Sequence, residues 1–220
     1  MTKSTPDSKT PPRKRAKALD RTTYQHGDLP AALARAVLEI VAERGVKNIS
    51  LAEAARRSGV SSGAPYRHYS SRDELVATIG VGIYRRLNRS LRAAREAAAT
   101  GPEQLAAMAR AYVEFSGANR AEVELLFQSG VSHLDYPELG ACDAEAYAEY
   151  RSGADACGLD PARAHDLVFA AAAIAHGFAT LEVAATANYA ISRESAGIKA
   201  AEAVTRTVTG FLVDASNDPA

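Results

Sequence analysis

Residues 61–75, SSGAPYRHYSSRDEL, crowd a glycine, a proline, two tyrosines, an arginine and a histidine into a short polar stretch. A helix selected only for stability would avoid this composition, because Gly costs about 1 kcal/mol in a helix interior and Pro more. The chemistry on offer is hydrogen bonding to phosphate oxygens and base edges. Ser61, Ser62, Gly63 and Ala64 are small enough to let backbone approach a polyanion, and free amides at a helix start donate to phosphate. Pro65 is tolerable near a first turn, where few intrahelical donors are lost. Tyr66, Arg67 and His68 then present phenol, guanidinium and imidazole groups. Tyr69, three residues after Tyr66, reads instead as an apolar plug. Arg72 starts the next helix, where it would face the same phosphates.

The flanking residues supply the elements that hold this stretch. Ser50 is an N-cap for LAEAARRSG, which carries Leu51, Ala54 and Ala55 on one side. Gly59 follows where a left-handed turn is needed. The spacing predicts a helix over Leu51–Ser58, a turn at 59–61 and a second helix over Ser62–Tyr69, a helix-turn-helix unit. Upstream, DLPAALARAVLEIVAERG has Leu29, Leu33, Val37, Ile40 and Val41 at helical spacing, with Gly45 as terminator. Downstream, a long helix is capped by Ser71 and stopped by Gly101-Pro102. Further helices are expected at 103–117, 120–129, 138–157, from Pro161 onward and at 192–214. Alternating strand patterns and internal repeats are absent, so the fold expected is all-α. Its divisions are a disordered basic arm over 1–22, a three-helix helix-turn-helix domain over 23–70, a connecting helix over 71–100 and a second helical domain over 101–220.

A formal net charge of zero conceals a strong asymmetry. Residues 1–100 contain 19 Lys+Arg and 9 Asp+Glu, a net +10; residues 101–220 contain 7 and 17, a net −10. The basic half suits a polyanion and the acidic half would be repelled by it. Hydrophobic residues at 47% and charged residues at 24% are ordinary for a globular protein. No segment reads as a membrane span or a signal peptide, and Cys142 and Cys157 match neither a metal site nor a disulfide framework, so a cytoplasmic location is expected. No nucleophile elbow, glycine-rich phosphate loop or metal-binding helix motif is present, and neither cofactor nor metal is expected. The competing reading is a helical small-molecule-binding protein or enzyme whose helix-turn-helix is only architectural.

Residues 24–87 resemble the DNA-binding domain of the tetracycline-repressor (TetR) family of bacterial transcription regulators. The runs YQHGDLPAALARAVLEIVAERG and ISLAEAARRSGVSSGAPYRHYSSRDEL carry the likeness, with Tyr66-x-x-Tyr69 and Arg72-Asp73-Glu74-Leu75 in register. Tyr69 stands where the family usually has Phe, and Arg72 where it has Lys. The resemblance implies that Ser50, Ser61, Ser62, Gly63, Ala64, Tyr66, Arg67, His68 and Arg72 lie at a double-stranded DNA operator. Arg13, Lys14 and Arg15 resemble basic arms that enter a minor groove or track phosphates; a solubilising tail is the other reading.

The second half, 101–220, resembles the family's ligand-binding and dimerisation domain, in the subgroup marked by Trp-His-Gly. Here His176-Gly177 follows an alanine and the chain has no tryptophan. The resemblance implies a homodimer, an unknown small-molecule effector and, most commonly, repression relieved by that effector. Tyr112, Phe115, Phe127, Tyr147, Phe169 and His176 are the candidate effector contacts, being aromatic or polar groups suited to a mostly apolar pocket; ordinary core packing is the alternative for each.

Overall fold

The computed structural model describes residues 29–184 and 192–217. The basic arm with Arg13, Lys14 and Arg15 lies outside the described residues. Among the described residues eight α-helices follow in order: α1 (Leu29–Arg44), α2 (Leu51–Arg57), α3 (Arg72–Glu96), α4 (Gly101–Ala118), α5 (Arg120–Gln128), α6 (Pro137–Asp155), α7 (Pro161–Ala184) and α8 (Arg193–Asn217). Among the described residues there is no strand, and the all-α expectation holds.

The first three helices form where their apolar spacing and caps demand. α1 buries Leu33, Val37, Ile40 and Val41 and stops at Gly45, whose φ of 80° ends the helical conformation. A single 3₁₀ turn, Val46–Asn48, leads to Ser50, whose hydroxyl accepts the Glu53 amide at 3.1 Å and caps α2. α2 is fastened to α1 by Arg57, which donates to Glu43 at 2.6 Å and to Glu53 at 3.0 Å. Ser71 caps α3 by accepting the Glu74 amide at 3.1 Å. Asp73 and Glu74 then place negative charge at its N-terminus.

The second helix of the motif is shorter than expected. Where the sequence pattern predicts helix over Ser62–Tyr69, only Pro65–Arg67 winds, as one 3₁₀ turn. Pro65 lacks an N–H and Gly63 favours no helix, so the segment closes by local bonds from Ala64 to Ser61 and from His68 and Tyr69 to Pro65. Gly59, with φ 71°, makes the preceding turn as anticipated.

The 25 residues of α3 extend roughly 37 Å from this unit into the second half. α3 ends at Glu96, and Gly101-Pro102, expected to terminate it, instead opens α4. Pro is well suited to a first turn. Gly101 is there for space as well: a Cβ would lie 2.6 Å from the Ala156 backbone at the end of α6. α4 is the centre of the second half, packed on α3, α6, α7 and α8. Contrary to expectation, one segment, Pro161–Leu181 of α7, is long and apolar enough to cross a membrane, with mean hydropathy 1.3. Its Ala164, Leu167, Val168, Ala171 and Ala175 are fully or almost fully buried against neighbouring helices, while Phe169 and Leu181 on the same segment are exposed.

Candidate nucleic-acid interface and effector cavity

The tight turn at 61–69 divides its side chains into two sets. Pro65 and Tyr69 point into the core, Tyr69 at 7% exposure, which fits the plug read from sequence. Ser61, Ser62, Gly63, Tyr66, Arg67 and His68 are exposed together, Tyr66 at 61%. Ala64 is half-buried and Ser50 is exposed at the adjacent cap. The turn thus exposes a phenol, a guanidinium and an imidazole together, the His68 ring lying 6.4 Å from that of Tyr69.

Arg72 is differently engaged. Its guanidinium donates to the Val46 carbonyl at 3.2 Å, pairs with Asp73 at 2.6 Å and lies 3.5 Å from the Ser129 carbonyl just after α5. Beside it the Val46 amide donates to Glu124 of α5 at 3.2 Å. Both polar groups of Val46 are therefore held by residues outside the helix-turn-helix. On the exposed face of α2, Arg56 and Arg57 together hold the Glu53 carboxyl down at about 2.

In the second half a cavity of about 620 Å³ opens between α3, α4, α5, α6 and α7. Five of the six effector candidates line it: Tyr112, Phe127, Tyr147, Phe169 and His176. Phe115 does not; it is half-buried and packs against the core. Sequence reasoning missed Tyr84 and Asp143, which come together from α3 and α6 across 59 residues. The Tyr84 hydroxyl donates to Asp143 Oδ1 at 2.9 Å, while His133 Nδ1 lies 3.2 Å from Oδ2 and its ring meets Tyr84 edge-on at 5.7 Å. Burial and the neighbouring carboxylate both push the Tyr84 phenol up, keeping it a donor. Nearby, Asn88 donates to the Cys142 carbonyl at 2.8 Å and fixes α6 on α3 beside Asp143.

At the opposite wall the Tyr112 hydroxyl is 2.8 Å from His176 Nδ1, and burial pushes that phenol up to about 12. Phe127 packs on His176 with ring centroids 4.8 Å apart. These two rings separate the cavity from a smaller one of about 260 Å³, which is lined by Arg120, Glu124 and Thr180 among others. At the rim Tyr147, His165 and Phe169 cluster, with the Tyr147 hydroxyl 2.9 Å from His165 Nδ1.

Residues 33–79 match the description "Bacterial regulatory proteins, tetR family", and residues 105–197 match "Tetracyclin repressor-like, C-terminal domain". No curated protein matches the chain. Among solved structures, a bacterial regulatory protein in the tetR family from Rhodococcus RHA1 is 18% identical, with TM-score 0.70, covering 82% of this chain and 96% of that one. A protein of unknown function from Rhodococcus sp. RHA1 is 26% identical, with TM-score 0.63 over 88% and 98%. A transcriptional regulator from the same source is 23% identical, with TM-score 0.64 over 84% and 96%. The fold is common to all three, and the two sequence matches span the exposed turn at 61–69 and most of the residues lining the cavity. The chain belongs to the TetR family of bacterial regulatory proteins, and is a ligand-responsive, DNA-binding transcriptional regulator.

Proposed function

We propose that the chain is a homodimeric repressor, released from a palindromic operator when a small molecule enters the cavity between α3 and α7. The exposed group at Ser61, Ser62, Gly63, Tyr66, Arg67 and His68 contacts bases and phosphates, with Ala64 allowing close approach and the Ser50 end of α2 and Arg72 at the flanking phosphates. Two such turns, one per protomer, engage successive major grooves, so the half-sites lie about one helical turn apart. The basic arm with Arg13, Lys14 and Arg15 adds sequence-independent affinity. Residues 23–70 act as the reading domain and 101–220 as the effector and dimerisation domain. The protein works in the cytoplasm, as a regulator rather than an enzyme.

One observation carries this reading: Phe127 walls the cavity, and Glu124 on the same short helix holds the Val46 amide under the helix-turn-helix. A ligand that displaces Phe127 moves α5, and α5 cannot move without disturbing the seat of α1 and α2. A coupling of about 1–3 kcal/mol is enough to change operator occupancy. Dimerisation through α7 and α8 is supported by exposed Leu181, Ile198 and Val213 on those helices.

The test is a titration of duplex fragments from the neighbouring chromosome, with the mass of the bound species measured at the same time. A dimer bound to one fragment, with affinity falling steeply with salt, agrees with the proposal. A monomer, or affinity indifferent to salt, opposes it.

A further inference from the structure

We propose that the cavity between α3 and α7 takes lipophilic organic cations, with Asp143 as their counter-charge. The inference rests on the reading of this cavity as the effector site and adds the class of ligand. Six aromatic rings line the walls, from Tyr84, Tyr112, Phe127, Tyr147, Tyr150 and Phe169. Aromatic faces attract a cation more strongly as it loses water, and a wall of this kind gives an anion nothing comparable. No lysine or arginine is among the lining residues, and Asp143 is their one carboxylate.

Asp143 lines the cavity within reach of a guest and is also open to solvent. Its side chain is 51% exposed, Oδ1 accepts from Tyr84, and Oδ2 faces His133. An ionised carboxylate has about four lone-pair sites, so these two partners leave room for a further donor or cation. The bond from Asn88 to the Cys142 carbonyl keeps the preceding residue against α3, which limits how far Asp143 can withdraw. Longer-range charge acts in the same direction. Residues 101–220 carry a net charge of −10, which concentrates cations around this half of the molecule and disfavours anions. A cavity of about 620 Å³ is in the size range that encloses a drug-sized guest.

Tetraphenylphosphonium and tetraphenylborate have nearly the same shape and opposite charge, so together they isolate the electrostatic preference. Equilibrium dialysis of the full chain with each probe, at fixed ionic strength, is the experiment. The phosphonium is expected to bind about tenfold or more tightly than the borate. Asp143→Asn keeps the side-chain volume and an oxygen for Tyr84 and removes the charge. It is expected to bring the two affinities within about threefold of each other. Equal or tighter binding of the borate by the wild type, an unchanged ratio in Asp143→Asn, or no binding of either probe would overturn the proposal.

Ala172→Trp, which fills the cavity from α7, separates this failure from failure of the effector-site reading. If the borate binds as tightly as the phosphonium or more so, and Ala172→Trp abolishes it, the cavity takes ligands but not by this charge rule. If probe binding survives Ala172→Trp in a protein that still melts cooperatively, the ligand sits elsewhere and both readings fall. Ala146→Phe fills the same space from α6 should Ala172→Trp not fold.

Discussion

Glu124 accepts the amide of Val46 at 3.2 Å across 78 residues of chain. The bond joins the helix that walls the cavity to the 3₁₀ turn that seats α2. Arg72 closes the same junction from the other side through the Val46 carbonyl. Removing an acceptor from a partly buried amide typically costs about 1–3 kcal/mol locally. Glu124→Ala should therefore speed hydrogen exchange of the Val46 amide by about tenfold or more, while the Leu105 amide in the core of α4 keeps its protection. Unchanged exchange at Val46 would mean that the junction is held by packing alone.

Tyr66 and Tyr69, three residues apart, should respond to truncation in opposite ways. Tyr69 is buried at 7% exposure and Tyr66 is exposed at 61%. Tyr69→Ala opens a cavity in the core and should cost about 3–5 kcal/mol of stability. Tyr66→Ala should stay within about 0.5 kcal/mol of the wild type. Chemical denaturation of the two variants reads both values.

Glu149 links α6 to α3, accepting from Arg92 at 2.7 Å and from Arg95 at 2.8 Å. Burial raises its pKa, but the bonds from Arg95 and Arg92 outweigh it, and the carboxyl is held below its ordinary value of 4.5. A depressed folded-state pKa gives stability that is present above the unfolded value and lost as pH falls through the folded one. Stability should accordingly decline below about pH 4.5, and Glu149→Gln should weaken the protein at pH 7 while flattening that decline. Melting temperatures of the two proteins between pH 7 and pH 3 make the comparison; parallel curves would assign the acid sensitivity to other groups.

Much of this architecture was legible in the chain because its signals are local. Ser50 and Ser71 cap where serine three residues before a glutamate is expected to, and the apolar spacing of α1 marks its buried face. Gly101-Pro102 was misread because the pair breaks a helix and begins one equally well; only the Glu103 carboxylate accepting the Thr100 amide at 3.1 Å decides for a start. The motif's second helix was overestimated because capping and spacing could not weigh Gly63 and Pro65 against winding. In the cavity, aromatic residues on α4 to α7 were found by type. Phe115, of the right type, packs half-buried against the core and does not line the cavity. Tyr84 and Asp143 were not found. Their pairing depends on how α6 lies against α3, which no spacing along the chain encodes.

The central claim, that residues 61–68 read DNA, is tested most directly by selecting duplexes from a random library with the wild type and with a Tyr66→Ala, His68→Ala double variant. Both side chains are exposed, so the variant should remain folded. The account predicts that the wild type enriches one palindrome with half-sites about one helical turn apart, and that the variant loses it. Enrichment of the same palindrome by the folded variant would contradict the account and place sequence recognition elsewhere in the molecule.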